Sequence, residues 1–299
     1  MIEIIRTLAG GFLMGTADLV PGVSGGTIAL VLGIYERLVS SVREGSSALG
    51  AGLKADGPSM RHHLGQVEWR FLVPLLVGIL TAVFVLSGVL ERQLEERPVL
   101  LAGLFLGLVV GSVVIAWRLL REQRAIHVVV ALAVAIALFL VLGAGAGRIP
   151  ENPSGPVFFG AGALAICAMI LPGISGSLIL VLLGMYAPVL SSVNDRNLTP
   201  VLVFVAGAVV GLAVFSQLLY WALRRHHDLV MAGLVGLMAG STRVLWPWPE
   251  GLTGPELGAP AQDWPVVTLA MALGAVAVAA ISRLAESRDE ELSELQRSR

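Results

Sequence analysis

The chain has 299 residues, of which 56% are apolar and 14% charged, with a mean hydropathy of +0.84 and a formal net charge of −1. This composition lies well outside the soluble globular range and marks an all-α integral membrane protein. It offers no basic surface for nucleic acid, and the single Cys167 excludes an internal disulfide and a cysteine-based metal cluster.

No charged-apolar-small leader precedes the first hydrophobic stretch, so no N-terminal cleavage is expected. That stretch, residues 4–42, is too long for one crossing: about forty helical residues would reach about 60 Å, twice the hydrocarbon thickness. Near its centre it reads PGVSGGT (21–27). Proline removes a donor and clashes with the preceding turn, while glycine turns where a side chain would forbid it, so the segment is predicted to fold back as a re-entrant hairpin. A loop over 43–70 leads to spans at 71–90, 98–117 and 126–146, which complete a first unit, 1–150. A second overlong segment, 156–193, is broken at PGISGS (172–177) and predicts a second hairpin. Spans at 201–223, 229–247 and 265–283 follow, so the second unit is 151–284 and the charged tail is 285–299.

Hairpins return to the side they left, whereas spans cross, and the distribution of basic residues separates the two readings. Hairpins place fifteen of the twenty Lys and Arg on one face; spanning segments would divide them ten and ten. The bias selects hairpins and puts both termini in the cytoplasm. His62, His63, His226 and His227 read as solvated loop residues rather than metal ligands, because no acidic or Cys partner stands at ligand spacing. Glu36 and Arg37 read as an interfacial pair.

The two broken segments also repeat each other. PGVSGGTIALVLGIY (21–35) and PGISGSLILVLLGMY (172–186) share Pro, Gly, Ser, Gly, Leu-Gly and Tyr at one constant offset, and GLVVGS (107–112) is echoed by GLMAGS (236–241). A hairpin plus three spans makes an odd number of crossings, so the second unit is predicted to be inverted relative to the first, with the hairpins meeting near the midplane. Backbone that is not helical at that depth must be buried in protein or line a polar cavity. Helix N–H groups following each break, with the hydroxyls of Ser24, Thr27, Ser175 and Ser177 and the glycines Gly25, Gly26 and Gly176, form a candidate anion site. Tight turns with serine caps would need the same residues.

Two intramembrane charges break the symmetry: Asp18, where the second unit has Met169, and Arg243, where the first has Val114. Intramembrane charge is costly, so both are functional candidates, against readings as a turn cap for Asp18 and a residue snorkelling beside Trp246 and Trp248 for Arg243. Gly103, Gly107, Gly111, Gly207 and Gly211 read as sites of close helix packing.

ADLVPGVSGGTIALVLGIYE (17–36), LPGISGSLILVLLGMY (171–186) and GLMAGSTRVLWP (236–247) resemble the signature stretches of the PopT polyprenyl-phosphate transporter family. The resemblance covers the chain except for 43–70, 249–263 and the tail. It implies a bacterial inner-membrane protein that returns undecaprenyl phosphate from the outer to the cytoplasmic leaflet. The residues add to it an expected mechanism, in which Arg243 captures the phosphate, the paired turns hold it, and Asp18, on protonation, couples the return to the proton gradient. The resemblance implies no cofactor and no metal. Two other readings stay open: an ion-coupled small-anion transporter, and a hydrolase resembling undecaprenyl-diphosphate phosphatases. Against the hydrolase, glycine rather than a phosphate-clamping arginine follows both Ser24 and Ser175, and no Glu-rich motif stands within an apolar segment to activate a serine.

Overall fold

The computed structural model describes residues 2–19, 23–143, 153–249 and 257–297, and these form helices and turns without strands. Pro21 and Gly22 of the first break and residues 144–146 of the third predicted span lie outside them. The N-terminal helix α1 (Ile2–Asp18) is followed by α2 (Gly25–Val31), α3 (Tyr35–Leu53), α4 (Gly57–Gln66), α5 (Trp69–Glu96), α6 (Pro98–Arg118) and α7 (Ala125–Gly143). The second half contains α8 (Gly155–Ile170), α9 (Gly176–Leu182), α10 (Tyr186–Asn194), α11 (Leu198–Arg225), α12 (His227–Ser241) and α13 (Trp264–Arg297). Helices α5, α6, α7, α11 and the Trp264–Arg283 part of α13 are long and apolar enough to cross a membrane. Their outward faces expose large apolar side chains, such as Phe84 (84% exposed) and Leu140 (65%), which a bilayer covers.

Both overlong segments fold back. Gly11 and Gly15 of α1 face Leu75 and Ile79 of α5, and Gly78 faces the backbone of Leu8, so α1 and α5 run side by side in the same direction. Arg37, at the start of α3, then pairs with Glu3 (3.2 Å) and Glu68 (2.6 Å), at the starts of α1 and α5. The chain has therefore returned to the end it left. In the second segment Gly207 and Gly211 of α11 face Phe159 and Ala163 of α8, again in parallel, and α9 and α10 meet at a bend of 110°. The backbone repeats between the two: Gly33 (φ 69°) matches Gly184 (φ 68°), both in the left-handed region that glycine enters without strain. Leu32 and Leu183 cap α2 and α9 with nearly identical angles, (−78°, −3°) and (−80°, −6°).

The remaining spans pair across the halves, each in parallel and each through glycine. Gly107 and Gly274 bring α6 and α13 to backbone contact, since a Cβ at Gly107 would overlap the carbonyl of Met271; Gly236 and Gly240 do the same for α12 against Ala131 and Ala135 of α7. Small residues at these crossings let apolar helices gain dispersion contacts where lipid removes the hydrophobic drive. The core surrounds α2, all seven residues of which are buried, with Leu30, Val109, Met238 and Leu245 among its best-covered side chains.

Several sequence expectations change. The predicted span 229–247 is a shorter helix, α12, which ends at Ser241; Ser241 and Thr242 hydroxyls bond back to Met238 and Ala239 carbonyls, and Pro247 and Pro249 cannot extend it. The 43–70 loop is largely helical, because α3 continues to Leu53 and Asp56 caps α4 through Ser59 N–H (3.1 Å). Hydrogen bonds from Ser59 also hold the Asp56 carboxyl below the usual carboxylate range. The charged tail continues α13 as helix to Arg297. Glu36 and Arg37 do not pair with each other, and two of the four histidines are not simply solvated: His227 bridges Glu36 (2.9 Å) and Asp228 (2.8 Å), and His63 meets Glu44 (2.8 Å). Asp228 also accepts Arg121 and Glu122 N–H groups, so one end of the molecule gathers the starts of α1, α5, α7 and α12 with the ends of α6 and α11.

Candidate functional site

The two Pro-Gly turns meet inside the protein. α8 ends at Ile170 and leaves its last carbonyls without helical partners, and residues of the first hairpin supply them. Ser24 Oγ donates to the Leu171 carbonyl (3.2 Å) and Tyr35 Oη to the Ile170 carbonyl (3.1 Å). In the other direction, Gly173 N–H donates to Thr27 Oγ1 (3.0 Å). Ser24, Thr27 and Tyr35 are all buried. Tyr35 was not among the residues singled out from the sequence; its recurrence as Tyr186 was the available signal, but Tyr186 is exposed, so only one copy has this role.

The turns differ in what their helix N-termini hold. At the first, Asp18 Oδ1 accepts Gly25 N–H (2.6 Å), and Ser24 Oγ accepts Gly26 N–H (3.1 Å) while its carbonyl takes Thr27 N–H. A protein carboxylate thus already occupies the position of an anion. At the second, Met169 stands in place of Asp18, its side chain beside Gly176. Ser175 Oγ caps Leu178 N–H (3.2 Å) and meets Ser177 Oγ (3.0 Å), and among the described residues the N–H groups of Gly176 and Ser177 have no protein acceptor. Ser177 is exposed. The N–H groups without a protein acceptor therefore lie at the second turn, one on buried Gly176 and one on exposed Ser177.

Packing alone accounts for the glycines. A Cβ at Gly25 would stand 2.6 Å from Asp18 Oδ2, one at Gly26 would stand 2.9 Å from the Ile170 carbonyl oxygen, and one at Gly176 would stand 2.9 Å from that of Ala165. Gly173 (φ 84°) packs on Met238, so the second turn rests on α12. α12 then leads to Arg243, whose guanidinium lies 4.7 Å from the Phe139 ring centre and against Gly143, at the C-terminal end of α7. A cation is favoured there by the carbonyl end of that helix. Trp246 and Trp248 pack edge to face at 5.5 Å, with their indole N–H groups bound to the Gly258 carbonyl and Asp263.

A cavity of about 560 Å³ adjoins the first turn at Leu19, but Glu91 and Glu95 line it and would repel an anion. Among the described residues no group of three His, Cys, Asp or Glu side chains is placed to hold a metal ion.

The family model described as VCA0040-like, undecaprenyl phosphate translocase-like, matches residues 14–262, which include Asp18, both turns and Arg243. A polyprenyl-phosphate transporter of Vibrio cholerae serotype O1 is 41% identical over 256 residues, covering 84% of this chain and 80% of its own length. A polyprenyl-phosphate transporter of Staphylococcus aureus (strain NCTC 8325 / PS 47) is 30% identical over 253 residues, covering 79% of this chain and 84% of its own. No solved structure matches. With a family match that runs through both turns and the helices that carry them, the chain belongs to the undecaprenyl phosphate translocase-like family.

Proposed function

We propose that this protein carries undecaprenyl phosphate from the outer to the inner leaflet of the bacterial cytoplasmic membrane, returning a lipid carrier for reuse. The names of the two relatives support a role in polyprenyl phosphate transport. The observation that carries the site is the asymmetry of the turns: the first N-terminus is filled by Asp18, the second leaves the Gly176 and Ser177 N–H groups for a phosphate. In this reading Ser175 and Ser177 add hydroxyl donors, Ser24, Gly25, Gly26 and Thr27 hold the opposing wall, and Arg243 captures the headgroup at the outer mouth while the isoprenoid tail stays in lipid. Asp18, when protonated, tolerates the phosphate that its carboxylate repels, which couples transport to protons. A carrier is favoured over a hydrolase because the relatives are named transporters and no arginine follows either turn serine.

The architecture we infer is an inverted repeat, units 1–150 and 151–284, with 285–299 as a cytoplasmic tail. The parallel pairs α1 with α5, α8 with α11, α6 with α13 and α7 with α12 support it. They are related by exchanging the halves: if α1, α5 and α7 point outward, α8, α11 and α13 point inward. Arg97 and His226, the single-residue links after α5 and α11, share a backbone conformation, (−142°, 52°) and (−137°, 50°). The basic bias of fifteen to five assigns the end bearing Arg37 and Arg224 to the cytoplasm. In a Cys167→Ala background, cysteine at Ser59 is expected to resist impermeant thiol reagents in intact cells and cysteine at Asn194 to react. Labelling at Ser59 from outside would overturn the topology.

The ligand is tested by heating. Polyprenyl monophosphate is expected to raise the unfolding temperature of the purified protein by an amount that grows with the logarithm of its concentration. The uncharged polyprenol is expected to do much less, and free phosphate or small carboxylates are expected not to compete. Equal stabilisation by the alcohol would exclude a phosphate site.

A further inference from the structure

The turn site leaves a second polar seam unused, between α3 and the last turns of α11. Gln217 reaches across it, donating to Ser47 Oγ (2.8 Å) and accepting from Arg43 Nε (3.3 Å). One turn further on, Tyr220 receives two guanidinium groups: Arg43 Cζ lies 4.3 Å from its ring centre and Arg224 Cζ 5.9 Å. Only Arg43 has a counterion, Glu44 (2.6 Å), and that carboxylate is shared with His63 (2.8 Å). Among the described residues Arg224 has no carboxylate partner and the Tyr220 hydroxyl has no hydrogen bond.

Two like charges converge here on one ring, and the one carboxylate paired with either of them among the described residues, Glu44 on Arg43, is shared with His63, so the cluster retains positive charge and unused donors. Its place narrows the ligand. Glu36 and Arg37 tie the start of α3 to the starts of α1, α5 and α12, so α3 lies at the end of the bundle. Trp221, adjacent to Tyr220 in sequence, is 58% exposed, as an aromatic anchor at the boundary of a bilayer would be. Basic pockets between spans at this depth suit phosphate headgroups, and arginine forks bind such oxygens in pairs.

We propose that Arg43, Tyr220 and Arg224 form a second anion site, separate from the turns, that binds the phosphate of a lipid headgroup in the leaflet at the α3 end of the molecule. The site is independent of which lipid is transported. Native mass spectrometry of the full chain, released from micelles containing equal amounts of phosphatidylglycerol and phosphatidylcholine, tests it. The wild type is expected to retain phosphatidylglycerol preferentially, and Arg224→Gln or Arg43→Gln to reduce that retention about fivefold each, the contribution of one arginine at a charged membrane surface. Arg225→Gln, one position round the helix, is expected to change little, and Arg243→Ala to leave retention intact. Millimolar inorganic phosphate is expected not to displace the lipid. Unfolding temperatures of the lipid-free variants show that each is folded. Equal loss with Arg224→Gln and Arg225→Gln, loss with Arg243→Ala, or displacement by inorganic phosphate would overturn the proposal.

Discussion

Arg243→Ala is expected to weaken polyprenyl phosphate binding by about 1.5–3 kcal/mol, roughly 10- to 150-fold, as the loss of a charge-assisted hydrogen bond to a phosphate predicts. The same substitution removes a cation from the carbonyl end of α7 and from the Phe139 face. It should therefore also lower the stability of the ligand-free protein, by about 1 kcal/mol. The two roles separate in one titration. If Arg243 serves only α7, unfolding without ligand shifts while the ligand-induced increment is unchanged; if it captures phosphate, the increment itself collapses. Arg243→Lys should restore the ligand-free stability more fully than the affinity, because an ammonium cannot reproduce a planar fork. Serine substitutions should act more weakly. Ser175→Ala leaves the backbone donors of Gly176 and Ser177 in place, so it should cost less affinity than Arg243→Ala. A hydrolase would behave differently, since loss of a nucleophilic serine abolishes turnover and spares binding.

Thr27→Val should destabilise the protein by about 1–3 kcal/mol, because it leaves the buried Gly173 N–H without its acceptor at nearly constant side-chain volume. Thr27 is 1% exposed, so water cannot replace the lost oxygen without opening the turn contact. Thr27→Ser, which keeps the hydroxyl, should recover most of the loss, and a denaturant or thermal midpoint in micelles measures both. Gly173 also packs on Met238 of α12. Freeing this turn should therefore loosen the hairpin contact and α12 together, and Thr27→Val should reduce polyprenyl phosphate binding as well as stability. Stability equal to wild type would mean that the Thr27–Gly173 bond does not hold the turns together.

The sequence by itself determined the elements whose cause is local. The two fold-backs follow from an apolar length that no single span can hold, interrupted by Pro-Gly. The glycine series at Gly103, Gly107, Gly111, Gly207 and Gly211 announced close helix approach, and each of these positions does meet the backbone or side chains of a neighbouring helix. The repeat was legible in the matching letters of the two motifs, and Gly33 and Gly184 do take the same left-handed conformation, which glycine allows without strain. A hydropathy window misjudged α12, since Leu245 and Trp246 kept it apolar while the hydroxyls of Ser241 and Thr242, followed by Pro247, ended the helix.

Tertiary structure alone decided the chemistry of the site. Asp18 was visible as an intramembrane charge, but its hold on Gly25 N–H depends on how the hairpin closes around residues far from any helix period. Tyr35 and Tyr186 are the same letter in the same motif, and packing buries one against Ile170 and exposes the other. His227 looked like half of a solvated pair until α3 brought Glu36 to it. The Tyr35–Ile170 and Glu36–His227 contacts join segments more than a hundred residues apart, which only the packing of the helices brings together. Local pattern states which residues can bend, cap or pack, and tertiary packing decides which of two equivalent turns is closed by its own carboxylate and which leaves its first N–H groups without a protein acceptor.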